Sequence, residues 1–181
     1  MSKESLYIFN DCPGGKEMEN YLLKQLRFVR ENTINSVAEM NDEASLLIPE
    51  GFNNNIKWNL GHIYVVQEKF AYSFIKEKMN MPKNFSELFT TGTSPTNWGN
   101  QALPTISELI QLLKNQIDRI EQALEFRLKE VIEKPFTTST GLTLSTVEEL
   151  LSFCLYHEGM HFATIKSYQR IIQNERNNKG I

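Results

Sequence analysis

The sequence predicts an all-α fold, a four-helix bundle with a long connection between its second and third helices. Three observations predict it. Apolar residues recur three and four apart over most of the chain, helix-start signals open several of these stretches, and no convincing run alternates at the two-residue period of a strand.

The first helix is expected from about Glu17 to Met40, with Met18, Leu22, Leu26, Val29, Thr33, Val37 and Met40 on one face. Asn41-Asp42 mark its end, and Pro49 and Gly51 lie in the loop that follows. The second helix starts after Asn53-Asn54-Asn55, whose side chains suit an N-cap, and continues through Trp58, His62, Val65, Val66 and Phe70 towards Met79. The connection from Asn80 to Leu103 holds Pro82, Gly92, Pro95 and Gly99, with a short helix at Phe85–Phe89. A connection this long inside a compact domain often forms a lid or a wall of a site.

The third helix has the clearest period: Ile106, Ile110, Leu113, Ile117, Ile120 and Leu124 form a bundle seam, and Thr105-x-x-Glu108 reads as a capping box. Pro135 and Gly141 lie in the next loop, where the threonine-rich 136–144 stretch suits a small extended turn. Ser145-x-x-Glu148 is a second capping box, opening a fourth helix to about Gln173, beyond which the polar tail is expected to fray. Four long helices argue for a single antiparallel bundle domain over residues 1–181.

Composition narrows the function. The chain has 181 residues, 40% hydrophobic and 23% charged, which suits one globular domain with a real core. A net charge of −3 without a dense lysine or arginine cluster disfavours nucleic-acid binding. No stretch approaches the roughly 20 apolar residues of a membrane span, and the first residues lack the apolar core of a signal peptide. The two cysteines, Cys12 and Cys154, make no disulfide framework, so the reading is cytoplasmic.

Only three histidines are present, and each falls on the inward side of a long predicted helix. His157 and His161 stand four apart, so both imidazoles stack on one face and can reach one ion. His62, in Trp58-Asn59-Leu60-Gly61-His62-Ile63, is in phase with Trp58 and Val65. Gly61 beside it removes a side chain and lets a neighbouring helix come close. Taken alone, His62 would read as a core histidine with one hydrogen bond.

His157-Glu158-Gly159-Met160-His161 also matches the zinc-protease string, in which the glutamate is the general base. No third ligand follows shortly downstream, which argues against proteolysis. On a helical wheel Glu158 points into the apolar stripe of Val147, Leu151, Phe162 and Ile165 rather than with the histidines. It reads two ways: a catalytic general base, or a carboxylate hydrogen-bonded in the core behind the ligands. Cys154 lies near the pair and reads as a small buried residue more readily than as a thiolate ligand. Thr164 and Tyr168 point the same way as the pair, either towards substrate or into inter-helix contacts, and Trp58 reads as core.

The histidine of Trp-Asn-Leu-Gly-His-Ile on one helix and His-Glu-x-x-His on the last resemble the DinB-like superfamily, the DNA-damage-inducible and YfiT-like metal-dependent proteins. The resemblance covers most of the chain. It implies an up-up-down-down style bundle that holds a divalent ion, zinc or nickel, on three histidines, here His62, His157 and His161. It further implies a small-molecule enzyme, either a transferase of low-molecular-weight thiols such as bacillithiol or mycothiol, or a hydrolase. The alternative is a non-catalytic metal-binding stress-response protein. A homodimer is expected. One departure stands out: many members follow the last histidine with x-Gly-Gln, where this chain has Phe162-Ala163-Thr164.

Overall fold

The structure, a computed structural model, describes residues 20–179. Glu17, Met18 and Cys12 lie outside them. Four long helices carry the fold: α1 (Tyr21–Val37), α3 (Ile56–Tyr72), α5 (Ile106–Leu124) and α6 (Val147–Lys179). Two five-residue helices, α2 (Asp42–Leu46) and α4 (Phe85–Phe89), sit in the connections. Strands β1 (Val131–Thr137) and β2 (Thr143–Thr146) form an antiparallel hairpin before α6.

Local chemistry sets the boundaries. Asn20, Asn55 and Thr105 cap α1, α3 and α5 by accepting backbone N–H bonds, and Thr105 with Glu108 completes a capping box. The cap of α6 is one residue later than its sequence signal. Glu149 accepts from the Ser145 and Thr146 amides, while Thr146 Oγ1 accepts from Glu149 N. The reason is β2, which keeps the backbone extended through Thr146. The hairpin is the strand structure that periodicity did not reveal, because it pairs only locally and exposes most of one strand. Helix α3 ends at Tyr72, short of Met79, where a 3-10 turn leads into Lys76 at φ 60°. At the other end, α6 continues past Gln173 to Lys179.

The pairings between helices fix their directions. Arg30 meets Glu158 and Ser36 meets Gln169, so α1 and α6 are parallel. Arg27 meets Glu121 and Arg30 meets Leu113, so α1 and α5 are antiparallel. Asn59 meets His161 and Phe70 meets Phe153, so α3 and α6 are antiparallel. Tyr64 meets Gln116 and Tyr72 meets Arg119, so α3 and α5 are parallel. The order is therefore up, down, down, up, which corrects both the up-up-down-down and the simple antiparallel expectation. A parallel α3–α5 pair requires a connection that travels the length of the bundle, and residues 73–105 supply it.

Among the described residues no helix is long and apolar enough to cross a membrane. The buried seam of α5 follows the expected register at Ile106, Leu113, Ile117, Ile120 and Leu124. The inward face of α1 is instead Leu23, Leu26, Arg30, Thr33, Ile34 and Val37, a rotation that brings an arginine into the core.

Candidate metal centre

The antiparallel packing of α3 on α6 brings His62 against the His157/His161 pair, from 95 positions away in sequence. One ring nitrogen from each of the three histidines lies within 4.8 Å of the others. The Nε2 atoms of His62 and His157 are 3.3 Å apart. That is about the edge of a tetrahedron built on metal–nitrogen bonds of about 2.0–2.1 Å.

On two of the three rings the opposite nitrogen is held in place. His62 Nδ1 is 2.7 Å from the Phe89 carbonyl, an acceptor only, so Nδ1 carries the proton and Nε2 its lone pair. His161 Nδ1 is 2.7 Å from Asn59 Oδ1, and Asn59 Nδ2 donates to the Asn55 carbonyl, which fixes the amide with its oxygen towards His161. His161 therefore also presents Nε2. This arrangement, in which the far nitrogens of His62 and His161 donate to fixed oxygens, is how metal-binding histidines are oriented in proteins. The donor set fits a divalent ion that accepts imidazole.

The environment keeps these rings neutral. Burial lowers the pKa of His62, against an opposing effect of the Phe89 carbonyl. Burial, and then the neighbouring imidazoles, push His157 down to about 4 and His161 down to about 3. Neutral imidazole is the form that binds metal. Trp58 stacks on His62, centroids 4.5 Å apart and 11° from parallel, and donates its indole N–H to Thr93 Oγ1.

Gly61 has a specific reason. A Cβ built there would press into the ring of Phe89, so only glycine lets α4 close over α3 and bring the Phe89 carbonyl to His62.

Glu158 lies beside His157 in sequence but faces the core, where it is 2% exposed. Arg30 Nε donates to Oε1 at 2.9 Å and Nη2 donates to Oε2 at 3.0 Å. Arg30 Nη1 donates to the Leu113 carbonyl and to Gln116 Oε1, and Gln116 donates to Glu68, which pairs with Arg119. This buried chain joins all four long helices. Both oxygens of Glu158 are thus engaged by Arg30.

Cys154 is buried at 2% among Leu150, Leu151 and Val147, outside the histidine group, and burial pushes its thiol well up, so it stays protonated. Thr164 turns its hydroxyl back to the Met160 carbonyl, and Tyr168 packs edge-on against Phe52 at 4.7 Å. Both make inter-residue contacts rather than reaching the histidines. Sequence reasoning did not find Asn59, the Phe89 carbonyl or Arg30. For Asn59 a signal existed, one turn before His62 on the same helix; the other two depend on tertiary contacts.

A cleft of about 550 Å³ opens beside the histidines, with His157 in its wall. Phe70 and Phe153, Met79 and Met81 of the connection, and Phe136 of the hairpin line it. Its volume suits a small molecule.

Comparison with known proteins adds to this picture. The family model described as the DinB superfamily matches residues 25–165. A crystal structure of a conserved protein from Enterococcus faecalis has a similar fold at TM-score 0.61 and 14% identity, covering 84% of this chain and 95% of that one. No curated protein matches the chain.

Proposed function

The chain belongs to the DinB superfamily, and on that premise we propose that it is a divalent-metal-dependent enzyme acting on a small molecule held beside His157. The observation that carries this reading is the joining of a preset three-histidine group to an apolar cleft. A filled, closed site would instead suit an ion that only braces the bundle.

His62, His157 and His161 would hold the ion, zinc or nickel. Three neutral ligands leave its charge uncompensated and leave room for a further ligand, the form of a catalytic site. The ion, when bound, supplies Lewis acidity that activates a thiol or a water near neutral pH. The remaining work falls to the chain itself. Phe89 and Asn59 lock two ring orientations, so little rearrangement accompanies binding. Trp58 covers His62 and keeps water from that side. Phe70 and Phe153 present apolar surface to the substrate. Glu158 acts as a positioning residue, fixing the rotation of α6 through Arg30.

Of the two reaction types, thiol transfer and hydrolysis, the apolar cleft favours transfer, because a dry wall excludes competing water. The test uses purified protein loaded with zinc or nickel, with bacillithiol or a similar thiol, against a chlorinated aromatic and an epoxide. Metal-dependent conjugation that disappears in His157→Ala is expected. Bound metal without turnover of any thiol or hydrolytic substrate would point to the bracing role instead.

A further inference from the structure

The cleft beside His157 carries more information than its size. Its lining is aromatic and aliphatic in the interior, with serine and threonine hydroxyls such as Ser73 and Thr90 at intervals. One charged side chain lies among the lining residues, Lys69. It is exposed, and no carboxylate pairs with it among the described residues. Arg27, Lys57, Arg119 and Arg127, by contrast, each pair with a carboxylate.

Lys69 and His62 are both on α3, seven residues and therefore about two helical turns apart, or about 10 Å along the axis. His157, whose Nε2 lies 3.3 Å from that of His62, and Lys69 both line the cleft, so a histidine and a cation stand apart along it.

We propose that the cleft binds an elongated, largely aromatic or aliphatic carboxylate, its acid group at Lys69 and its opposite end at the histidines. This rests on the reading of the cleft as the substrate site and adds the substrate's chemical class. Phe70, Phe136 and Phe153 recognise the apolar body, and the exposed Lys69 ammonium selects an anion over an uncharged isostere. Lys69 is then a specificity residue. It takes no part in bond making.

The probe is a matched pair, biphenyl-4-carboxylate and biphenyl-4-carboxamide, titrated into the full chain as purified and again after chelator treatment. The methyl resonances of Met79 and Met81 report whether either ligand enters this cleft. The carboxylate is expected to bind about tenfold more tightly than the amide in both preparations, shifting both methyl signals. Lys69→Met should remove the preference while leaving amide binding unchanged, and Lys69→Arg should keep most of it. Lys69 is exposed, so these variants keep the fold.

Equal binding of acid and amide would overturn the proposal, as would a preference that survives Lys69→Met or methyl signals that do not move. A preference confined to the metal-containing preparation would also overturn it, since the ion rather than Lys69 would then hold the acid. Loss of metal-dependent turnover with the carboxylate preference intact would sink the enzymatic reading alone. Turnover of neutral substrates without any such preference would sink the substrate class alone.

Discussion

Arg30 of α1 and Glu158 of α6 form a buried two-pronged ion pair, 128 positions apart in sequence and immediately behind a histidine of the candidate metal centre. Each is nearly inaccessible to solvent, and Arg30 donates further to Gln67 of α3 and Gln116 of α5. The pair therefore sets which way α6 turns its histidines.

Removing one member should be costly. Arg30→Met leaves a carboxylate buried without its partner, and a loss of about 3–5 kcal/mol in urea unfolding is expected. The double variant Arg30→Met/Glu158→Met should lose less than Arg30→Met alone, because no orphan charge remains. Additive losses would show that the two residues act separately.

Metal binding should stabilise the fold through His62. Zinc should raise the melting temperature of the native chain, since the unfolded chain gathers the three ligands poorly. In His62→Ala most of that rise should vanish while the metal-free bundle stays folded, because its apolar seams are untouched. Calorimetry with and without zinc measures both. A full metal-induced rise in the variant would mean that His62 is no ligand.

Acid should weaken the metal-free protein in a defined window. His157 and His161 titrate at about 4 and about 3 in the folded chain, against about 6.5 unfolded. Between those values the unfolded chain holds more protons, so stability is full above pH 6.5 and falls as pH drops towards 3. For His157 alone the loss is on the order of 3 kcal/mol. Urea midpoints at pH 7.5, 5.5 and 4 should fall more steeply in the native chain than in His157→Gln. Identical slopes would show that this imidazole is not held neutral by its surroundings.

Gly61→Ala should act on both fold and site. The added methyl displaces the Phe89 ring, at a cost of about 1–3 kcal/mol for overpacking. The same displacement moves the carbonyl that orients His62, so zinc affinity should fall about 10–100-fold, the usual effect of losing such an outer partner. Zinc titration of the variant at a temperature where it remains folded separates the two effects. Unchanged affinity would mean that the Phe89 carbonyl does not orient the ligand.

The parts of this molecule that could be read from sequence are those governed by local chemistry. The α5 seam, the asparagine cap of α3 and the short helix at Phe85–Phe89 follow from periodicity and capping, and they appear where those signals lie. The histidines could be singled out because all three fall on inward helix faces. Arg30 could not, since a polarity-weighted wheel places any arginine outside, and its burial depends on Glu158, Gln67 and Gln116 from three other helices. The same asymmetry explains the rotated face of α1, where Leu23 and Ile34 are buried. The hairpin escaped because its threonines and its Pro135 carry turn signals as strong as their strand signals.

The parallel pairing of α1 with α6 has a kinetic side. The first and last long helices of the described chain become neighbours, so the core cannot be completed until nearly the whole polypeptide has collapsed. Helical bundles that wind up and down form mostly between consecutive segments and fold fast; long-range pairing slows the search. This mostly helical protein therefore faces a closure problem more familiar from sheet proteins. Its last helix waits for a partner made at the beginning, and the buried arginine that receives it is the point at which the chain closes.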